Sequence, residues 1–432
     1  MEEFGTPRGV ETHELDGTTG RSLVLLEEDT DTGLKTLRAA TGSAVATATE
    51  KRLEPKADGA LHFEELGVAV VSQPADQVLE ASAAAEGGAG IIAVEPERRV
   101  HVLEGVPVVG ARSDEYLWGY RDAVVNLTDG LAPRAPGAVA AAPMAAALVE
   151  SQATWGLQAV KAVHSCRSGA GINVAVLDTG FDPNHPDFAG RNVTMQSFIP
   201  GETADDGHGH GTHCIGTALG PKCPPLMPRY GVAYEAEIFV GKVLSNGGSG
   251  GDAGILAGIN WAVANGCAVI SMSLGARVRL GQAPSRVFEN VARRAARRGS
   301  LIVAAAGNDS QRPGRVEPVS HPANCPSILA VAAVDVNGAV ASFSNGGLNP
   351  NGGKVDVSGP GVNVYSSWPM PTRYRRLNGT SMATPHAAGV AALLAEANPA
   401  VRGAALGALL VSRALPGTLP AVDVGAGMVQ AP

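Results

Sequence analysis

Short apolar runs, broken by glycine and polar clusters, recur along the chain, and their spacing divides it in two. Ser22-Leu23-Val24-Leu25-Leu26 predicts a strand, Thr32 to Ala40 a helix, and Leu61 to Val71, alternating and β-branched, a further strand. Ala75 to Ala85 predicts a second helix. Gly90 to Val94, followed by Arg99 to Leu103, predicts more strand. The order strand, helix, strand, helix, strand over residues 20–104 suits a small α+β unit of the split βαβ, ferredoxin-like kind.

Residues 105–150 change character. A short helical piece near Asp114 to Asn126 leads into a proline- and alanine-rich tract through Ala147, which reads as an exposed linker. From Gln152 onward, fully apolar runs predict strands covered on both faces. They lie at Asn173–Leu177, Glu237–Leu244, Ala268–Leu274, Leu301–Ala306, Ile328–Val334 and Val355–Val357. Helical stretches at Ala253–Ala264 and Ser285–Arg298 alternate with them, so 151–432 is expected to be α/β, a doubly wound and mostly parallel sheet. Sites in such sheets gather at the carboxyl ends of the strands. Residues 1–19 form an acidic, polar extension.

Composition narrows the class. A chain of 432 residues exceeds one ordinary domain, and 45% hydrophobic residues suffice for a sizeable core. The net charge of −8, with no long basic segment, argues against nucleic acid as a partner. Arg293-Arg294-Ala295-Ala296-Arg297-Arg298 lies near the end of a predicted helix, where cations suit the dipole, and is expected to be a solvated face. Five cysteines without a CxxC pair are neither a disulfide framework nor a zinc ribbon, though a Cys223–Cys325 bridge stays open. No export signal opens the chain and no run of about 18 apolar residues suggests a membrane span. The chain as written reads as cytoplasmic, or as secreted if its start is truncated.

Four positions carry the chemistry. Asp178 ends a predicted buried strand, where a carboxylate needs partners; a structural hydrogen-bonded turn is the competing reading. His210 lies in Asp206-Gly207-His208-Gly209-His210-Gly211-Thr212-His213-Cys214, and His208, His210 and His213 also have zinc-like spacing. Ser381, in Gly379-Thr380-Ser381-Met382-Ala383-Thr384-Pro385-His386, is expected to cap a helix whose N–H groups favour an oxyanion. Asn308 follows a predicted strand and is placed to donate to the same oxyanion, or simply to end a turn.

Together, in the order Asp178, His210, Asn308, Ser381, these segments resemble the subtilisin-like serine peptidases over about 155–432. Cys214 is closer to the proteinase K branch of that family. The resemblance implies that Ser381 is the nucleophile, His210 the general base, Asp178 its orienting acid, and Asn308 an oxyanion donor. It implies a serine endopeptidase acting on extended polypeptides and needing no catalytic cofactor, and a monomer is expected. Substrate would pair with Gly248-Ser249-Gly250 and Ser273-Leu274-Gly275, beside a pocket wall of Ala305-Ala306-Gly307. Ile255 and Leu274 would line an outer pocket with Asp252, which departs from the family's common aromatic. Asp187 fits a structural calcium ligand, but the Gly220–Arg229 loop lacks oxygen-bearing side chains, so that site is expected to be altered or lost. Residues 20–104 are similar, by strand order, to the family's inhibitor-like propeptide. A zymogen that processes itself between Pro133 and Trp155 is therefore expected. The competing readings are a latent protein with a permanently docked plug and a zinc hydrolase.

Overall fold

The computed structural model describes residues 17–28, 30–42, 44–48, 59–84, 89–103 and 150–432. The predicted linker and its processing segment up to residue 149 lie outside these residues, as does most of the N-terminal extension. In the first unit, β1 (Thr18–Leu26) is followed by α1 (Thr30–Thr41), β2 (Val45–Thr47), β3 (Ala60–Phe63), β4 (Val68–Val71), α2 (Ala75–Ala84) and β5 (Ile91–Val102). The strand order β5-β1-β4-β3, antiparallel throughout, is the expected split arrangement, with β2 added parallel to β3.

Two expected elements differ. Leu61 to Val71 is a hairpin rather than one strand, because Gly67 turns the chain at φ +57°. Conversely, the two pieces around residues 90–103 form one continuous strand through Pro96.

Period-two alternation gives this sheet two apolar faces. Val24, Leu26, Leu37, Ala60, Ala69, Val71 and Val78 form the unit's own core under α1 and α2. Leu23, Leu25, Leu61, Phe63, Val68 and Val70 point the other way, into a core shared with the second unit. A small sheet with two apolar faces is stable only if both are covered. Here the partners are α5 (Asp252–Ala264) and α6 (Arg286–Arg297).

The second unit is built on a seven-stranded parallel sheet. Its strands are β6 (Asn173–Asp178), β7 (Val193–Ser197), β8 (Glu237–Lys242), β10 (Val269–Met272), β12 (Leu301–Ala305), β13 (Leu329–Val334) and β14 (Val357–Pro360), in the order β14-β13-β12-β10-β6-β8-β7. The edge strand β7 and the hairpin of β15 (Val364–Ser367) and β16 (Tyr374–Leu377) are too mixed in polarity to stand out in the sequence. One face carries α3 (Trp155–Ala159), α4 (His210–Leu219), α7 (Thr380–Ala397) and α8 (Gly403–Ser412). The helix α7 is buried over nearly its whole length, which its near-continuous Ala, Val and Leu composition allows. Two very short strands, β9 (Ser249–Gly251) and β11 (Leu274–Gly275), lie apart from the parallel sheet and pair with β5. All five cysteines are free, so there is no Cys223–Cys325 bridge: Cys223 is exposed and Cys325 buried. Among the described residues no helix is long and apolar enough to cross a membrane.

Three members of the arginine cluster, Arg293, Arg297 and Arg298, lie on a solvated face as expected, and Arg294 is the exception. Arg294 is buried and donates to the carbonyls of Leu66 at 2.5 Å and Leu26 at 2.7 Å. Arg297 pairs with Glu28 at 2.8 Å, and Arg298 pairs with Glu65. The cations therefore close the seam between the two units, capping carbonyls that β1 and the hairpin leave open. Arg294→Met is expected to weaken docking of the first unit by about 3–6 kcal/mol, the range for losing two charge-assisted hydrogen bonds. The readout is faster backbone hydrogen exchange across β1 and β4. Unchanged protection there would contradict an anchoring role.

Candidate active site

Three carboxyl ends of neighbouring strands deliver the polar groups. Asp178 is the last residue of β6; its Oδ1 accepts from the Thr179 amide and from His210 Nδ1, each at 2.7 Å. His210 begins α4 after Gly209, whose φ of +108° swings the chain sharply into the helix. The loop before it is pinned by Asp206. That buried carboxylate accepts from Thr179 Oγ1, the amides of His208, Gly209 and Thr212, and the Thr212 hydroxyl, at 2.7–3.1 Å. Burial alone would raise the Asp206 pKa, but these donors hold it below the usual carboxylate value. Lys242, fully buried, donates to Thr179 O at 2.5 Å and Asn246 Oδ1 at 2.8 Å, fixing the turn after Asp178.

His210 is wholly buried, which by itself would lower its pKa. The Asp178 carboxylate outweighs that and, with Cys214, raises it well above the ordinary value. Its Nε2 is buried without a hydrogen-bond partner among the described residues. The neighbouring histidines behave differently. His213 Nε2 bonds to Val364 O at 3.0 Å and Arg375 O at 3.2 Å, and burial, then the His210 charge, lower its pKa to about 3. Among the described residues the ligand atoms of His208, His210 and His213 do not converge, so they do not form the zinc set their spacing suggested. Asp178, His210 and Cys214 do cluster, and burial pushes the Cys214 thiol up to about 11.

Ser381 is the second residue of α7, and Gly379, not Ser381, is its N-cap. Pro385 has no N–H to give the Ser381 carbonyl four residues earlier. That carbonyl instead accepts from Ser273 Oγ at 2.9 Å and Cys214 Sγ at 3.5 Å. Neither contact was readable from the sequence, because each partner lies more than 100 residues away. Asn308, just beyond β12, is oriented by Thr380: its Oδ1 accepts from the Thr380 amide at 3.0 Å and hydroxyl at 2.8 Å. The amide's N–H groups are thereby turned into the cleft. Thr380 sits inside the serine motif, immediately before Ser381.

The cleft is filled by β5. Val100 pairs with Gly250, His101 with Ser249 and Gly275, and Val102 with Leu274, while the Val102 amide donates to Gly248 O at 3.0 Å. Both expected segments are thus brought to one strand. Ser273 contacts Ser381 instead of the strand. Val100 is fully buried in the core that contains Ile255 and Leu274, and a Cβ on Gly275 would lie 3.1 Å from Leu103 Cδ1. Ala305 and Ala306 are fully buried, and Gly307, at φ +112°, forms the turn that delivers Asn308. At the end of the strand, Ser381 Oγ donates to Leu103 O at 2.7 Å, and Asn308 Nδ2 donates to the same oxygen. Glu97 and Glu95 of β5 accept from the first amides of α5 and α6 at 2.9 and 2.7 Å. They complement two helix N-termini, which favour negative charge.

Asp187 does not suit a calcium ion. Its carboxylate accepts from Tyr230 Oη at 2.6 Å, Tyr374 Oη at 2.9 Å and Arg373 Nη2 at 3.1 Å. A guanidinium and two hydroxyl donors offer what an anion needs, whereas calcium needs six to eight oxygens. The arginine supplies the positive charge.

Ser273→Ala is expected to destabilise the protein by about 1–3 kcal/mol, the cost of leaving the Ser381 carbonyl with only a weak S–H donor. Denaturant unfolding measures this, and a change below about 0.5 kcal/mol would contradict the role given to Ser273.

The profile of the Subtilase family matches residues 169–428. M-protease of Shouchella clausii (strain KSM-K16) is 43% identical over 251 residues, which are 57% of this chain and 60% of that protein. Subtilisin Savinase of Lederbergia lenta is 43% identical over 251 residues, covering 85% of its length. Subtilisin E of Bacillus subtilis (strain 168) is 41% identical over 252 residues, covering 61%. The aligned region therefore spans less than two thirds of M-protease and Subtilisin E. A match over more than half of the chain, together with these identities, establishes that the chain belongs to the subtilase family of serine peptidases.

Proposed function

We propose that this chain is a serine endopeptidase made as a zymogen, and that its own strand β5 is its first substrate. The observation that carries the reading is the Leu103 carbonyl, which receives both the Ser381 hydroxyl and the Asn308 amide. This favours cleavage at the Leu103–Glu104 peptide bond over the segment between Pro133 and Trp155 expected from composition.

The chemistry follows from the groups around that oxygen. Ser381 Oγ turns from the carbonyl oxygen toward His210 Nε2 and gives up its proton there. It then bonds to the Leu103 carbonyl carbon. Charge collects on the Leu103 oxygen, where Asn308 Nδ2 and the Ser381 amide at the start of α7 hold it. His210, now a cation paired with Asp178, returns the proton to the nitrogen of Glu104. The C–N bond breaks and leaves an ester between Leu103 and Ser381. Water, activated by the same imidazole, hydrolyses it. Thr380 acts as a positioning residue for Asn308. The cleft then takes extended polypeptides in the register that β5 occupies, and β5 blocks it until the first unit leaves.

Wild-type protein is expected to yield a mature chain beginning at Glu104, seen by mass spectrometry, while Ser381→Ala stays uncut. Equal, uncut products from both would instead favour a permanently docked plug. Asn308→Ala should lower kcat by about 10²–10³, the range set by subtilisin's own oxyanion asparagine.

The sign of the pH dependence is also determined. Protonated His210 cannot accept the serine proton, and its pKa is raised, so activity is lost as pH falls toward it. Precursor cleavage should reach half its maximal rate above pH 6.5, the ordinary imidazole value. A midpoint below that value would contradict the Asp178–His210 pairing as the controlling interaction.

A further inference from the structure

The triad and its donors leave one carboxylate in the cleft unused. Asp252, the first residue of α5, is fully buried. Its Oδ1 accepts from His321 Nε2 at 3.0 Å, so the imidazole carries its proton on that nitrogen. His321 is itself buried, set edge-on to Phe288 with ring centroids 4.7 Å apart, and paired through its backbone to Ala276. The carboxylate is therefore held in one orientation from behind. Its other oxygen faces the strand in the cleft. Oδ2 accepts from the backbone N–H of Arg98 at 3.0 Å and lies 3.6 Å from Arg98 Nη1.

The guanidinium is held by charge more than by a fixed hydrogen bond. Arg98 Nη1 is buried and makes no hydrogen bond among the described residues, and it lies at 3.6 Å from both Asp252 and Glu95. Glu95 belongs to β5 and leaves with it. Asp252 belongs to the catalytic unit and stays. In a partly desolvated cleft, an anion without a cation is costly, and a substrate that brings a cation is correspondingly favoured.

Register fixes which substrate residue this is. Leu103 presents the reacting carbonyl, and Val102, His101, Val100 and Arg99 follow back along β11 and β9 as far as Gly251. Arg98 comes next, where β9 gives way to α5. It is the sixth residue, counting Leu103 as the first.

We infer that Asp252 is a specificity-determining residue, an anionic anchor that selects substrates with Arg or Lys at the sixth position on the acyl side. The inference rests on reading β5 as the first substrate, and it adds a chemical class to that reading.

The test uses processed enzyme and quenched peptides of the form Xaa-Ala-Val-Ala-Val-Leu-Glu-Ala, with Xaa as Arg, Lys, Gln or Glu. These lack any counterpart of Glu95. The Arg peptide should exceed the Gln peptide in kcat/KM by about threefold to tenfold, with Glu lowest, the scale of a partly screened ion pair. The advantage should shrink as salt rises. In Asp252→Asn the Arg and Gln peptides should be cleaved alike; taking the ratio within one preparation cancels any loss of folded enzyme. Equal rates for Arg and Gln in the wild type would overturn the anchor, and so would an Arg preference that survives in Asp252→Asn. The reading of β5 is scored separately by the mature N-terminus, so its failure and that of the anchor are distinguishable.

Discussion

An extended strand has hydrogen-bonding groups on both edges, and the site is organised around supplying partners to one such strand. The short strands β9 and β11 are too brief to be stable alone, and they leave backbone groups open toward the cleft. β5 fills that gap with its second half while its first half completes the sheet of the N-terminal unit. One strand therefore belongs to two sheets at once. Unpaired backbone in a buried seam is expensive, so this double membership holds the two units together and sets the register of the cleft. Leu103 reaches Ser381 because the residues before it are already paired.

The second constraint is that most polar groups at the carboxyl ends of the strands find protein partners, Asp178 Oδ2 and His210 Nε2 being exceptions among the described residues. Asp178 is bonded by Thr179 and His210, Asp206 by five donors, and Asn308 by Thr380. Pro385 leaves the Ser381 carbonyl free, and Ser273 and Cys214 reach it from two other elements. Each of these bonds removes a degree of freedom from the groups gathered around the Leu103 carbonyl. The rigidity the chemistry needs comes from the same accounting that makes the buried polar groups tolerable.

Much of this was legible in the sequence, for a physical reason. The catalytic unit's strands are buried on both faces, so they appear as unbroken apolar runs, and the groups that end them sit in short, glycine-rich motifs. Asp178, His210, Asn308 and Ser381 could be picked out because each lies beside the element that positions it. The segments 248–250 and 273–275 followed from the resemblance. Contacts that depend on distant partners were not legible. Among the arginines near the end of α6, the burial of Arg294 alone escaped the pattern, because Leu26 and Leu66, which receive it, lie more than 200 residues away. The Gly220–Arg229 loop already spoke against calcium at Asp187, but the arginine that takes the ion's place, Arg373, lies 186 residues away in sequence. Ser381 looked like a helix cap, yet the cap is Gly379. The strand β5 spans both predicted pieces, because the polar stretch Glu95 to Arg98 interrupts the apolar pattern without interrupting the pairing.

The most direct test of this architecture is the concentration dependence of precursor cleavage. A strand already paired in its own cleft reacts within one molecule, so the first-order rate constant should stay unchanged over a hundredfold dilution, a range far wider than any plausible assay error. A rate that falls in proportion to concentration would mean that one molecule cuts another. It would contradict the placement of Leu103 at Ser381 on which the account depends.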